Sequence, residues 1–270
     1  MKLQTLYSLI DLPAEITRNL DTIDKENIPA LYEKDLHRLT SPKTAAIAYQ
    51  DITQLLGKDP GHLKMLYCQL KCAGRIADKY ESLGISRQIY IDTMKCFSRF
   101  IRECQEKNGE MFFDRGWWTY RQISMTLFRL GSLEYELCEE AGEPVIGIHI
   151  PSDADLSSPA VDHSLKEAAR FFETYYHGLP PRKYTCDSWL LSPSLKPFLP
   201  QDSNIASFQQ RFVILKENPS DDEFIEWLFR RPKNTNYERL PEDTSLQRSV
   251  KALLLEGGTI GAASGVLRQP

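Results

Sequence analysis

Nowhere in the 270 residues is there a run of lysine and arginine, a CxxC pair or a long apolar stretch, and each absence removes a class of function. The longest basic cluster, "FRRPKN" at 229–234, is short and sits beside acidic neighbours, and the chain carries a net charge of −4. Nucleic-acid binding needs a basic face, so it is not expected. The opening "MKLQTLYSLIDLPAEI" has one lysine and is broken by Asp11 and Pro13. It is too short and too polar for a signal peptide or a membrane span, and a cytoplasmic protein that does not engage membranes is expected.

The six cysteines are scattered at 68, 72, 96, 104, 138 and 186. Cys68 and Cys72 share a helix face, but a zinc site would need two more ligands and His62 is the one nearby candidate. Buried free thiols, with no metal, are the expectation. Gly258, Gly261 and Gly265 follow no expected strand and precede no helix, which excludes a dinucleotide fingerprint. Neither internal repeats nor low-complexity tracts occur. What remains, 41% hydrophobic and 26% charged residues, describes a globular chain long enough for one large or two modest domains.

The first 110 residues read as helix after helix, and a helical domain is expected over 1–110. "SPKTAAIAYQDITQLLG" offers Ser41 as cap, Pro42 in the first turn and Gly57 as stop. A second helix starts at Asp59-Pro60 and ends near Gly84, and a third runs from Ser86 to Gly109. "RGWWTYRQISMTLFRLG" (115–131) reads as one more helix. Nothing in this half gathers chemical groups, and packing or docking is its expected role.

Over 111–270 the pattern turns to alternation. In "GSLEYELCEE", Leu133, Tyr135 and Leu137 share one face and Glu134 and Glu136 the other. A turn at 141–144 leads to "VIGIHI", so the two strands form an antiparallel hairpin. A helix from Ser158, capped there with Pro159 in its first turn, is followed by the strand "YTCDSWLL". Then come a short helix "SNIASFQQRF", a strand "FVILKE", and helices at "SDDEFIEWLFRR" and "SLQRSVKALLLEGG". The closing "TIGAASGVL" reads as either a terminal strand or a small-residue loop. Strands joined through helices imply a mixed sheet flanked by helices, an α+β or α/β arrangement.

The stretch "VIGIHIPSDADL" (145–156) raises the question of function. Ile146, Ile148 and Ile150 share one strand face, leaving Gly147 and His149 on the other, just before a loop with two aspartates. His149 is either a base beside a ligand loop or a half-buried structural histidine. Glu134 and Glu136 stand across the hairpin and can orient it. Asp153 and Asp155 lack the rest of a calcium loop, and capping is their expected role.

Four phrases, "LFRLGSLEYEL", "IHIPSDADLS", "CDSWLLSP" and "SNIASFQQRF", together resemble a bacterial acyltransferase-like family. That family joins a helical N-terminal domain to a C-terminal domain of the GNAT (N-acetyltransferase) superfamily, and the resemblance spans nearly the whole chain. It implies an acyl-CoA-dependent N-acyltransferase that uses acetyl-CoA or another acyl-CoA and takes a small-molecule or peptide amine as acceptor. It also implies that the strand "VIGIHI" carries a general base, His149, and that the loop and helix after it hold the cofactor pyrophosphate. Ile150, Pro151, Ser152 and Ser158 stand at that place, and a helix N-terminus suits a phosphate.

Two departures stand out. The family's glycine-rich Q/R-x-x-G-x-G/A loop is replaced by "PSDADLSSP", which has no glycine and two carboxylates. In the N-x-x-A-x-x-x-Y signature, Asn204 and Ser207 match, but Arg211 takes the place of the tyrosine that protonates the thiolate. Cys186 or Ser188 on the adjacent strand is the substitute as acid or acyl acceptor. The alternative function is a non-catalytic GNAT-like module that binds a ligand or protein, with the helical half as a docking domain. Acceptor, acyl chain and oligomeric state carry no signature.

Overall fold

A computed structural model describes residues 1–25, 33–176 and 183–268. The chain divides into two compact units, Met1–Arg129 and Leu130–Pro270. Among the described residues no helix is long and apolar enough to cross a membrane.

The first unit is helical: α1 (Leu3–Leu9), α2 (Ala14–Lys25), α3 (Glu33–Leu39), α4 (Ala45–Leu56), α5 (Leu63–Ser82), α6 (Arg87–Met94), α7 (Cys96–Asn108) and α8 (Gly116–Ile123). Its starts differ from the sequence reading. Residues Ser41 to Thr44 form a turn, and α4 begins only at Ala45. Asp59 acts through its carboxylate, which accepts the Lys64 and Met65 amides at 2.9 and 3.0 Å and so closes the first turn of α5. The expected helix from Ser86 to Gly109 is interrupted at Lys95, though Ser86 caps it as expected by accepting from the Ile89 amide. α5 is the central element. Leu66, Leu70, Cys72 and Ala73 are fully buried along it, and Gln69 donates from Nε2 to the Gly116 carbonyl at 2.8 Å and accepts from the Thr119 hydroxyl.

That buried link explains why the units divide at Arg129 and not at residue 110. α8 is held to α5, and Gly116 lies so close to Tyr49 and Met65 that a Cβ there would meet them at 3.1 and 3.2 Å. The helix expected over 115–131 also stops early. Met125 adopts a left-handed φ of 60°, and the Thr126 amide reaches back to the Arg121 carbonyl in the six-to-one bond that ends many helices. The hydroxyls of Ser124 and Thr126 donate to the same carbonyl. Residues beyond form a strand.

The sheet comprises β1 (Leu127–Leu130), β2 (Leu133–Glu140), β3 (Glu143–His149), β4 (Lys183–Ser188), β5 (Phe212–Asn218) and β6 (Ala262–Leu267), in the order β1-β2-β3-β4-β6-β5. β2 and β3 are antiparallel through a tight turn with positive φ at Ala141 and Gly142. β3 and β4 are parallel, and α9 (Ser158–Tyr175) is the crossover between them. The closing segment is therefore a strand, seated between β4 and β5. Its small residues are packing devices: a Cβ on Gly261, at φ +66°, would lie 2.6 Å from the Asn218 carbonyl oxygen, and one on Gly265 would lie 3.0 Å from that of Val213. α10 (Asn204–Gln209), α11 (Glu223–Phe229) and α12 (Ser245–Leu255) complete the unit, with Leu195, Phe224, Phe229, Val250 and Ile260 forming one apolar core. Trp189 to Leu191 leave the expected strand for a 3-10 turn after Ser188.

α9 packs on the face of the sheet that carries Tyr135. Ser164 donates to the Leu130 carbonyl at 2.5 Å, accepts from the Leu133 amide at 3.2 Å, and lies 2.9 Å from the Tyr135 hydroxyl. The N-cap position is Ser157, whose side chain makes no capping bond, and Ser158 is the first helical residue.

Candidate active site

Register decides which side chains meet. Glu134 faces His149 directly across the hairpin, and Glu136 faces Gly147, so these four share one face of the sheet. His149 Nε2 lies 2.9 Å from Glu136 Oε2 on the diagonal. Both groups stay accessible, with 29% of the histidine side-chain surface and 16% of the glutamate surface exposed. Glu134, by contrast, is buried at 2% exposure. Gly147 leaves the room for this pair: a Cβ there would stand 3.3 Å from Cys138 Sγ and 3.6 Å from His149 Nε2.

The parallel ladder places the other residues. Val145, Ile146 and Gly147 pair with Lys183, Tyr184 and Thr185, and there the ladder ends. β3 nevertheless runs on to His149 against β2, and β4 runs on to Ser188 against β6. Each strand is held from its outer side, so the two part beyond Gly147 and Thr185. The result is a wedge opening toward the ends of both strands, with His149 on one lip. Parity puts Thr185 and Asp187 on the His149 face and Tyr184, Cys186 and Ser188 on the α9 face. Contacts agree: Thr185 donates to Glu140 Oε1 at 2.7 Å on the first face, while the Tyr184 ring meets Tyr135 edge-on at 6.3 Å on the second.

Cys186 is thus not brought together with His149. It lies buried on the opposite face, and burial pushes its thiol well above the ordinary cysteine range, so the thiol form is favoured over the nucleophilic thiolate. Ser188 is spent on the local turn, accepting from the Leu190 amide.

At the mouth of the wedge the chain passes through Ile150, Pro151 and Ser152 into the loop and then α9. Ile150 and Leu156 pack against the apolar core of the second unit and Pro151 is buried, so the loop is anchored at both ends. Asp155 takes a capping role. Its Oδ1 accepts from the Ser157 amide at 2.8 Å, which holds the carboxyl below the usual carboxylate range, and its own amide donates to Ser132 Oγ. Asn204 is exposed at the first position of α10. Arg211, just past α10, forms an ion pair with Asp162 and reaches the Ser158 carbonyl, so it ties down the first turn of α9. The position expected to hold a tyrosine acid therefore performs a structural task. Asp187 escaped the sequence reading, because only the combined register of β3, β4 and β6 puts it on the His149 face.

Two family models match in tandem: an N-acyltransferase N-terminal domain over residues 1–125 and a GNAT-like C-terminal domain over 127–267. No curated protein matches. Among solved structures, an acyltransferase in complex with decanoyl-CoA and teicoplanin is 22% identical with a TM-score of 0.74. An acyltransferase in complex with CoA and 10C-teicoplanin gives the same values, and an acyltransferase mutant in complex with octanoyl-CoA is 21% identical with a TM-score of 0.72. All of this chain and all of each of those chains are covered. At these identities the likeness establishes the fold.

Proposed function

The chain belongs to the family that joins an N-acyltransferase N-terminal domain to a GNAT-like C-terminal domain, and on that premise we propose that it transfers an acyl group from acyl-CoA to an amine, with His149 as general base. One observation carries this reading: the ladder between β3 and β4 ends at Gly147 and Thr185 beside a histidine already paired with a carboxylate.

The residues fit the cofactor along most of its length. Strand edges that part leave backbone donors and acceptors for the amides of a pantetheine arm, along 148 and 149 of β3 with the residue that follows, and along 186–188 of β4. Ile150, Pro151, Ser152 and Ser158 lie along the continuation toward the N-terminus of α9, where a helix favours phosphate. Asn204 is the α10 contribution to that side. Asp155 stands on one of the local amides, so phosphate recognition relies less on the loop than in glycine-rich relatives.

When bound, acyl-CoA supplies the activated thioester. The chain's own part is proton handling. An amine arrives as ammonium and must lose a proton before it can attack, and the acceptor is the His149 ring nitrogen that Glu136 does not hold, Nδ1, since Nε2 donates to the carboxylate. Glu136 holds the ring in place and stabilises the imidazolium that results. Such a base is worth about 10²–10⁴ in rate.

The test is release of free CoA from octanoyl-CoA and decanoyl-CoA, the thioesters held by structural neighbours, in the presence of a panel of primary amines. Amine-dependent release that His149→Ala abolishes supports the proposal. Release no faster than in that variant, for every amine, sinks it. Binding without release would favour the non-catalytic module, which the arginine at the tyrosine position keeps in view.

A further inference from the structure

On the far lip of the wedge, Asp187 shares a sheet face with His149 and Glu136. It is exposed, and Ser264 on β6 donates to its Oδ2 at 2.7 Å, which fixes the carboxylate's orientation. Oδ1 accepts no hydrogen bond from any described residue. His149 and Asp187 each lie two residues beyond the last paired position, Gly147 and Thr185. Paired strands run ~4.8 Å apart, which sets the scale of the gap across which the two groups face each other.

The geometry points to Asp187 as the anchor for a second cationic group on the acceptor. A carboxylate at the reacting nitrogen would favour its charged form and oppose the proton loss that His149 must effect. Placed across the gap, the same carboxylate instead holds a different ammonium and delivers the reacting one to His149. The acceptor class is then a diamine, polyamine or amino sugar with two cationic centres a few bonds apart, and not a lone amine or an amino acid. The surrounding face agrees in sign, since Glu134, Glu136 and Glu140 of β2 stand on it with Asp187, against Lys183 and His149.

This assignment rests on the acyltransferase reading, and its test separates the two. Calorimetric titration of the CoA-saturated protein compares 1,4-diaminobutane with butylamine, which has the same chain but no second ammonium. The wild-type protein is expected to bind the diamine about tenfold more tightly or better, the range of one charged hydrogen bond. Asp187→Asn, which can still accept from Ser264, is expected to erase that preference, and Asp187→Glu to keep part of it. Both variants should keep the wild-type circular-dichroism spectrum and urea midpoint, which reports that they are folded, so that a lost preference is not lost structure. Equal affinity for the two amines, or a preference that survives in Asp187→Asn, overturns the assignment while leaving the acyltransferase reading intact. A wild-type protein that binds no CoA overturns both.

Discussion

His149 Nε2 and Glu136 Oε2 stand 2.9 Å apart across the β2–β3 hairpin, diagonal neighbours that the register forces onto one face. The glutamate acts through the histidine. Glu136→Gln keeps a hydrogen bond but not the charge, and it is expected to lower kcat by about tenfold or more with KM for acyl-CoA unchanged. Glu136→Asp should recover part of the loss. A variant that instead raises KM for acyl-CoA would mark the glutamate as architecture.

Ser164 joins α9 to three partners in the first two strands, and its removal takes one buried hydrogen bond from each. Ser164→Ala is expected to cost about 1–3 kcal/mol, measured by urea denaturation. It should also weaken acyl-CoA binding, because α9 forms one side of the cofactor path.

Two glycines with left-handed backbones make a matched pair. At Gly257 nothing stands within 4 Å of an added Cβ, whereas at Gly261 the Asn218 carbonyl oxygen and Pro219 Cα stand at 2.6 and 2.7 Å. Gly257→Ala is expected to cost about 1 kcal/mol from the backbone alone. Gly261→Ala should cost at least ~2 kcal/mol more and loosen the β5–β6 pairing, seen as faster amide exchange in those strands.

Burial pushes the thiols of Cys68 and Cys72 from 9.0 up to about 12. A raised folded-state value means stability that is whole below the unfolded thiol's value and is lost as pH rises through the folded one. The urea midpoint is therefore expected to fall as pH climbs from about 9 toward 12, and less steeply in Cys72→Ala. Neither thiol should react with iodoacetamide in the native protein at pH 8. Equal slopes in the two proteins would contradict this.

The hairpin and its facing residues were legible from alternation, since a period of two needs no knowledge of neighbours. The same alternation separated Glu134 and Glu136 from Leu133 and Tyr135. Three features were not legible. The helix through 115–131 had no visible stop, because Met125 takes the left-handed position that glycine usually marks. Cys186 stood as a candidate because its face relative to His149 depends on where β4 enters the parallel ladder, a pairing across the α9 crossover. Asp187 was missed for the same reason, with β6, more than seventy residues on, supplying the hydroxyl that orients it. Arg211 was visible as a departure from the signature, but its bond to Asp162 on α9 was not.

The most direct measurement is calorimetric titration of decanoyl-CoA into the wild-type protein, His149→Ala and Gly147→Val, whose side chain would stand on the His149 face beside Cys138. A cofactor lying between β3 and β4, with His149 as base and not as anchor, predicts near-equal affinity for wild type and His149→Ala. Gly147→Val, which crowds Cys138 Sγ and the His149 ring on the face over the end of the ladder, should bind about tenfold more weakly or worse. No binding by folded wild-type protein, or full affinity in Gly147→Val, would contradict the account.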